Sequence, residues 1–390
     1  MDHKVYVVRC SDYNQAEAKT RELLSLMGGM SRFAGPKEKI ALKVNLLRRA
    51  KPEEAVTTHP AIVTAVARMA KQEGAVPVIV DSPGSGYKYD KKTLDSVYNT
   101  CEMLKVAQEA GIEANFDTTY RAVSYPEGKL IKRFEVITPV LDAAGVFNLC
   151  KLKTHCFMAL TGGVKNNFGV IPGLHKPGYH AKLHDKERFA DMLLDLAGCV
   201  APRITIMDAV VGMEGDGPGA GTPRHIGLLL GSTSPLALDV VAGEIVGLKR
   251  DRNPIMPAAQ RRGLVPSRLE EVEIVGADIA ELRVPNFKFP STVSDDVGIV
   301  GDANLFQRMA LKIFGKNMSR KPWVVKDKCI ACGICEDSCP MKAISLIHHE
   351  RHYAEIDHKR CIRCYCCHEM CAEKAIELRE SFMYRRGIKG

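Results

Sequence analysis

The chain has 390 residues, 46% of them hydrophobic, with 14 cysteines and a formal net charge of +9. That length accommodates two domains, and the composition is that of a globular protein, which excludes a disordered or low-complexity chain. The positive charge does not by itself mark a nucleic-acid binder: aromatic residues are only 6%, and Lys and Arg are scattered without interleaved aromatics. Attraction of an acidic partner or a small anion is the expected use of the charge.

In chain order, strands are expected at Val5 to Val8, Ile40 to Leu46, Val76 to Val80, Gly145 to Leu149, Ile204 to Met207, Ile226 to Leu230 and Val272 to Val275. Helices are expected at Ala16 to Met27, Pro60 to Glu73, Thr93 to Ala110, Lys186 to Cys199 and Pro235 to Val246. The alternation predicts an α/β domain over residues 1–284 with a mostly parallel sheet. Arg121 to Ile137, with Glu127-Gly128 at the turn, reads as an inserted antiparallel hairpin. Residues 285–320 lose the rhythm and read as a connector with a helix near Ala303 to Phe314. A small α+β domain with a basic tail is expected over 321–390. The N-terminal segment lacks the apolar core of a signal peptide. The longest apolar stretch, Gly227 to Leu248, carries Asp239 and Glu244 and breaks at Ser234-Pro235, so it is expected to be a strand and a helix, with no membrane association.

In open parallel sheets, functional residues collect beyond the carboxyl ends of the strands. Those places are polar and glycine-rich here: Lys43 and Asn45; Asp81 to Gly86; Lys151, Lys153 and His155 followed by Gly162, Gly163, Lys165 and Asn166; and Asp208 followed by Gly212 to Gly221. Any one such loop could be a simple turn. Four of them carrying Lys, Asn and Asp suggest backbone N–H nests and lysines arranged for a phosphate or carboxylate. Lys43, Asn45, Lys151, Lys153, Gly162, Gly163 and Asn166 are candidates to bind a small anionic ligand, and Lys165, His155, Asp81 and Asp208 to act on it. Neither a nicotinamide fingerprint nor an ATP-binding glycine loop is present. His180 and His184 read as solvated or capping side chains, and Cys156 is the one scattered thiol worth testing as a nucleophile.

The C-terminal region is the most specific. Cys329, Cys332, Cys335 and Cys339 form a C-x2-C-x2-C-x3-C run, which returns 32 residues later as Cys361, Cys364, Cys367 and Cys371, with Lys342-Ala343-Ile344 echoed by Lys374-Ala375-Ile376. This is the pattern of a ferredoxin with two [4Fe-4S] clusters, in which the fourth cysteine of each run reaches across to the other cluster. Cys329, Cys332, Cys335 and Cys371 are therefore assigned to one cluster, and Cys361, Cys364, Cys367 and Cys339 to the second. A zinc ribbon would instead use two pairs of cysteines separated by a longer loop. Pro340 follows the first run but Ala372 the second, and Cys366 is an extra thiol read as a bystander. Without a secretion signal, these thiols point to a reducing cytoplasm, and the clusters would suit an anaerobe.

Val44-Asn45-Leu46, Asp81-Ser82-Pro83-Gly84, Lys151-Leu152-Lys153-Thr154-His155, Gly162-Gly163-Val164-Lys165-Asn166 and Asp208 to Gly215 resemble the prokaryotic family catalogued as domain of unknown function 362, which often carries a bacterial-type ferredoxin. The resemblance implies iron–sulfur binding and little agreed chemistry. The Gly162-Gly163-x-Lys165 segment is also similar to one in nickel-pincer lactate racemases, where a lysine near such a loop tethers a cofactor. Three readings follow: a ferredoxin-type reductase acting in the α/β crevice, with electrons from a redox partner protein or low-potential donor; a non-catalytic carrier docking a partner enzyme; and a cofactor-maturation or redox-sensing protein. No short signature decides whether flavin or another organic cofactor also binds.

Overall fold

The computed structural model describes residues 3–294, 319–348 and 351–380. Its centre is a nine-stranded sheet. The order is β11 (Glu273–Val275), β1 (Lys4–Arg9), β10 (Thr222–Ser232), β9 (Ile204–Glu214), β7 (Gly145–His155), β2 (Lys39–Lys43), β3 (Val76–Val80) and β4 (Glu113–Ala114). Strand β8 (Ala159–Thr161) folds back on β7. Along this path only β10 runs against its neighbours, β1 and β9; the pairs β11–β1, β9–β7, β7–β2, β2–β3 and β3–β4 are parallel. Strands β2 and β3 are buried from their second residue on because helices cover both faces. Helices Ala16–Leu26, Pro60–Gln72 and Met103–Ala110 bury their apolar stripes on one side, and Lys186–Val200, Ile255–Arg261 and Pro235–Val246 contribute to cores elsewhere on the sheet. The apolar stretch from Gly227 to Leu248 is a strand and a helix, and among the described residues no helix is long and apolar enough to cross a membrane. The hairpin pairs β5 (Tyr120–Ser124) with β6 (Arg133–Ile137).

Two expectations need correction. The helix Thr93 to Ala110 is two helices, Lys91–Thr100 and Met103–Ala110, because Glu102 enters the left-handed region at φ 58. The break lets both apolar faces, Leu94/Val97/Tyr98 and Met103/Val106/Ala110, reach the core. Strands β7 and β9 run well past Leu149 and Met207, so Lys151, Lys153 and Asp208 stand on strands and not in loops. Local hydropathy misses this because the extension of β7 is held by pairing on both sides: Lys151 opposite Asp208, and Lys153 opposite Met213 and Thr161. The helix expected near Ala303 and the basic tail after Glu380 lie outside the described residues.

In the C-terminal region β12 (Lys321–Val324) pairs with β15 (Ile376–Arg379), and β13 (Ile344–His348) with β14 (His352–Ile356). Two short helices, Ile334–Asp337 and Cys366–Met370, lie within the two cysteine runs, each carrying the third cysteine of its run. The second is clamped against the α/β domain. Tyr365 joins the core beneath Lys186–Val200, and the backbone at Gly84 and Gly219 comes so close that a Cβ there would stand 2.6 Å from Met370 Sδ and 2.2 Å from the Glu369 carbonyl oxygen. His368 completes the contact, its Nε2 lying 3.0 Å from the Asp216 carbonyl.

Candidate functional site

The carboxyl ends of β2, β3, β7 and β9 meet beneath helix Cys366–Met370, and the charged residues expected there are buried: Lys43, Asp81, Lys151, Lys153, His155 and Asp208 are at most 2% exposed. Burying a charge is costly unless it is paired, and the pairing divides this group in two. Lys43 Nζ lies 2.8 Å from Asp81 Oδ1, while Asp81 also accepts from the backbone N–H of Leu46 at 2.8 Å and of Ser82 at 2.9 Å. Lys151 Nζ lies 2.7 Å from Asp208 Oδ2 and 2.9 Å from the Tyr13 hydroxyl, which donates to Asp208 Oδ1 at 3.0 Å. Both carboxylates are thus committed to partners within the protein, so they hold loops and strands together.

The second group is differently placed. Lys153 Nζ donates to Asn45 Oδ1 at 2.8 Å and to the Val56 carbonyl at 2.6 Å, and Asn45 in turn donates to Asn166 Oδ1 at 2.8 Å. Asn166 donates to Asn148 Oδ1 at 2.6 Å, so the amides form one chain that orients the lysine. Lys165 is partly buried, with Nζ 5.7 Å from the centre of the Phe168 ring. Burial drives Lys153 well below the ordinary lysine value and lowers Lys165 too, with the charge of Glu369 opposing the fall in each. His155 Nδ1 accepts from the backbone N–H of Phe157 at 3.0 Å and of Met158 at 3.3 Å, which leaves the proton on Nε2. That Nε2–H is buried, has no hydrogen-bond partner among the described residues, and lies 3.5 Å from Glu369 Oε2. Burial, reinforced by the charge of Lys165, holds His155 well below the usual imidazole value, so it is neutral.

Gly162 and Gly163 serve geometry. The Gly163 and Val164 N–H groups donate to Asp239 at 2.5 and 3.0 Å, and a Cβ on Gly162 would overlap Asp239 Oδ1 at 1.9 Å. Their N–H groups are directed to an internal carboxylate, which sets the position of Lys165 on the short helix Gly163–Asn166. Cys156 is buried and burial pushes its thiol far up, which disfavours a nucleophilic thiolate. His180 overturns its expectation: it is 2% exposed, stacked on Phe189 at 4.4 Å between ring centres, inside a box of Phe157, Phe168 and Phe189. His184 is exposed and lies outside helix Lys176–Lys182.

Sequence reasoning missed Glu369, Lys176 and Arg48. Lys176 Nζ is held by Ser82 O and Oγ, Pro83 O and Ile171 O at 2.6 to 3.1 Å, fixing the Asp81 to Gly86 loop. Arg48 ties Glu54 and the Gly219 carbonyl together at 3.0 and 2.9 Å. Glu369 was hidden in plain view: it sits in the Cys367-x3-Cys371 spacer, but Glu336 and Asp337 occupy the equivalent spacer of the first run and gave no reason to single it out.

The cysteines gather in two rings. Cys339, Cys361, Cys364 and Cys367 line a small cavity walled by Pro322, Ile344, Ile356 and Tyr365. Cys329, Cys332, Cys335 and Cys371 line another walled by Val324, Ile334, Leu346 and Ile376. Backbone N–H groups of Ala343, Ala354, Arg363 and Ala375 point at Cys339, Cys329, Cys361 and Cys371 Sγ at 3.1 to 3.4 Å, the kind of hydrogen bond that steadies cluster sulfurs. Among the described residues no three Cys, His, Asp or Glu close on a single ion. Four thiols spread around an apolar chamber fit a cubane and not one zinc at about 2.3 Å from each sulfur. Cys332 is exposed, whereas Cys366, between two members of the other ring, is fully buried and hydrogen-bonded with Ser85 of the crevice.

An α/β sheet domain carrying a small module with eight such thiols defines an iron–sulfur protein of the two-cluster ferredoxin type. A family model described as domain of unknown function (DUF362) matches residues 40–244, and one for a 4Fe-4S dicluster domain matches residues 328–375. The chain belongs to the first family and bears the second domain C-terminally. A thylakoid-associated protein of Synechocystis sp. is 33% identical over 297 residues, 75% of this chain and 89% of that protein. Among solved structures, the lactate racemase apoprotein from Thermoanaerobacterium thermosaccharolyticum is similar at TM-score 0.38 and 11% identity over 60% of this chain and 54% of its own. A protein from Thermotoga maritima is similar at TM-score 0.35 and 10% identity, over 56% and 55%. The chain spans about half the length of those two structures.

Proposed function

We propose that the chain is a reductase that passes electrons from two [4Fe-4S] clusters to a small anionic ligand or redox cofactor in the crevice under helix Cys366–Met370. One observation carries this reading: the segment between Cys364 and Cys371 is the ceiling of the crevice, with Glu369 3.5 Å from His155 and Cys366 against Ser85. The ligand sets are those of the two rings, and the clusters would supply electrons one at a time. Lys153 and Lys165 attract the negative group of the ligand, the amide chain from Asn45 through Asn166 to Asn148 keeps Lys153 aimed, and the neutral His155 offers its Nε2–H beside the ceiling as a hydrogen-bond donor. The ceiling excludes water, which strengthens each of these interactions.

Lys165→Met tests the reading. Reduced holoprotein mixed anaerobically with candidate acceptors should be reoxidised by the substrate, and the variant should lose that reaction with both cluster spectra intact. An unchanged rate in the variant would remove Lys165 from the site.

A further inference from the structure

The hairpin of β13 and β14 presents one face to the cysteine rings. Side chains two residues apart on a strand share a face, so the cross-strand pairs Ile344–Ile356, Leu346–Ala354 and His348–His352 lie in one row. Ile344 and Ile356 wall one ring, Leu346 and Ala354 the other. The third pair stands at the open end of the ladder, exposed to solvent. Its two Nδ1 atoms are 3.0 Å apart, with 5.2 Å between ring centres, and among the described residues neither imidazole has a further hydrogen-bond partner. Neighbouring cations are engaged elsewhere: Arg351, next in sequence to His352, by Asp327 at 2.6 Å, and Lys326 by the Tyr353 ring at 3.9 Å.

We propose that His348 and His352 form a two-imidazole site for a divalent transition-metal ion. An ion about 2.1 Å from each nitrogen holds two of them about 3.0 Å apart at adjacent octahedral corners and about 3.4 Å apart in a tetrahedron. The observed separation meets the first value with the backbone as it stands, and exposed rings reach the second by small rotations. Without metal, one Nδ1 carries the proton that the other accepts. On binding, that proton leaves to water and both lone pairs turn to the ion. Two imidazoles without a carboxylate suit the first-row ions from cobalt to zinc, and not magnesium or calcium, which take oxygen ligands. The ion joins the ends of both strands. The adjoining layer of the same face is Leu346 and Ala354, and the Ala354 N–H donates to Cys329 Sγ at 3.4 Å, so the site staples the hairpin that flanks one cluster. Metal held here adds to the cluster irons and replaces none of them, and the site is independent of the crevice and of the reductase reading.

Anaerobic calorimetry of the holoprotein tests the site, with the cluster thiols occupied and Ni2+, Co2+ and Mg2+ as probes. The wild-type chain should bind Ni2+ more tightly than Co2+, and Mg2+ should not register. His348→Ala and His352→Ala should each weaken Ni2+ binding by about a hundredfold, because losing either ring removes the advantage of two ligands held together. Both positions are exposed, and intact cluster spectra check that the variants are folded. Wild-type affinity no better for Ni2+ than for Mg2+, or Ni2+ affinity unmoved in either variant, would overturn the proposal. The stapling role has its own readout. Ni2+ should raise the temperature at which the cluster absorbance is lost in the wild type and not in His352→Ala; equal shifts in the two proteins, or none in the wild type, would overturn that role.

Discussion

Replacing Asp81 by Asn separates two roles for that carboxylate, proton transfer to a ligand and structural pairing. Asp81 is 3% exposed at its side chain, lies 2.8 Å from Lys43 Nζ, and accepts from two backbone N–H groups. Removing one partner of a buried pair strands the other and typically costs about 3–5 kcal/mol. The asparagine oxygen can still accept one backbone N–H, and losing the other adds about 1–3 kcal/mol. Set against a total stability of about 5–15 kcal/mol, Asp81→Asn should bring the α/β domain close to its unfolding threshold. Lys43→Met should cost about the same 3–5 kcal/mol, leaving the carboxylate unpaired. The double variant removes both charges, so it should be more stable than the sum of the single losses predicts, by about 2 kcal/mol or more. Urea denaturation of the four proteins, followed by circular dichroism under anaerobic conditions, measures the cycle. Single variants that lose under about 1 kcal/mol, or strictly additive losses, would refute the structural role; lost turnover with stability intact would restore Asp81 as a proton carrier.

The other predictions use independent features. His180 is buried and held down to about 3, by burial first and by Lys165 second. The unfolded chain takes up a proton near 6.5 that the folded chain refuses until about 3, so this group's contribution is intact above 6.5 and is lost as pH falls through that window, by up to about 1.4 kcal/mol per pH unit. His180→Phe should flatten the acid limb of a stability-versus-pH curve; an unchanged limb would mean that other groups govern it. Anaerobically purified protein should carry about eight irons and eight sulfides per chain, and Cys364→Ser should convert or empty one cluster while sparing the other. Stoichiometric zinc would overturn the cluster assignment.

The cysteine runs are legible because their information is local. A cubane takes three thiols from one tight turn, so the C-x2-C-x2-C spacing writes the site into consecutive residues, and the structure brings Cys371 and Cys339 across to the opposite rings. The α/β rhythm is equally local: helix Pro235–Val246 and strand Val76–Val80 begin and end where hydropathy and proline predict. The crevice is not. Lys43, Asp81, Lys151, Lys153, Asp208 and Lys165 are alike in sequence, as polar residues near the ends of strands, and only the packed sheet tells paired from unpaired. Asp208 meets Lys151 because β9 lies beside β7, and Tyr13 completes that cluster from 138 residues away.

The sequence by itself determined the class of the protein: a mostly parallel α/β domain joined to a two-cluster ferredoxin, since periodicity and ligand spacing are encoded within a few residues of each other. Tertiary structure alone decided that the two parts meet where they do. Glu369 faces His155 across 214 residues of chain, and nothing in either segment predicts the meeting. It arises because Gly84 and Gly219 let the cluster-bearing helix approach closely.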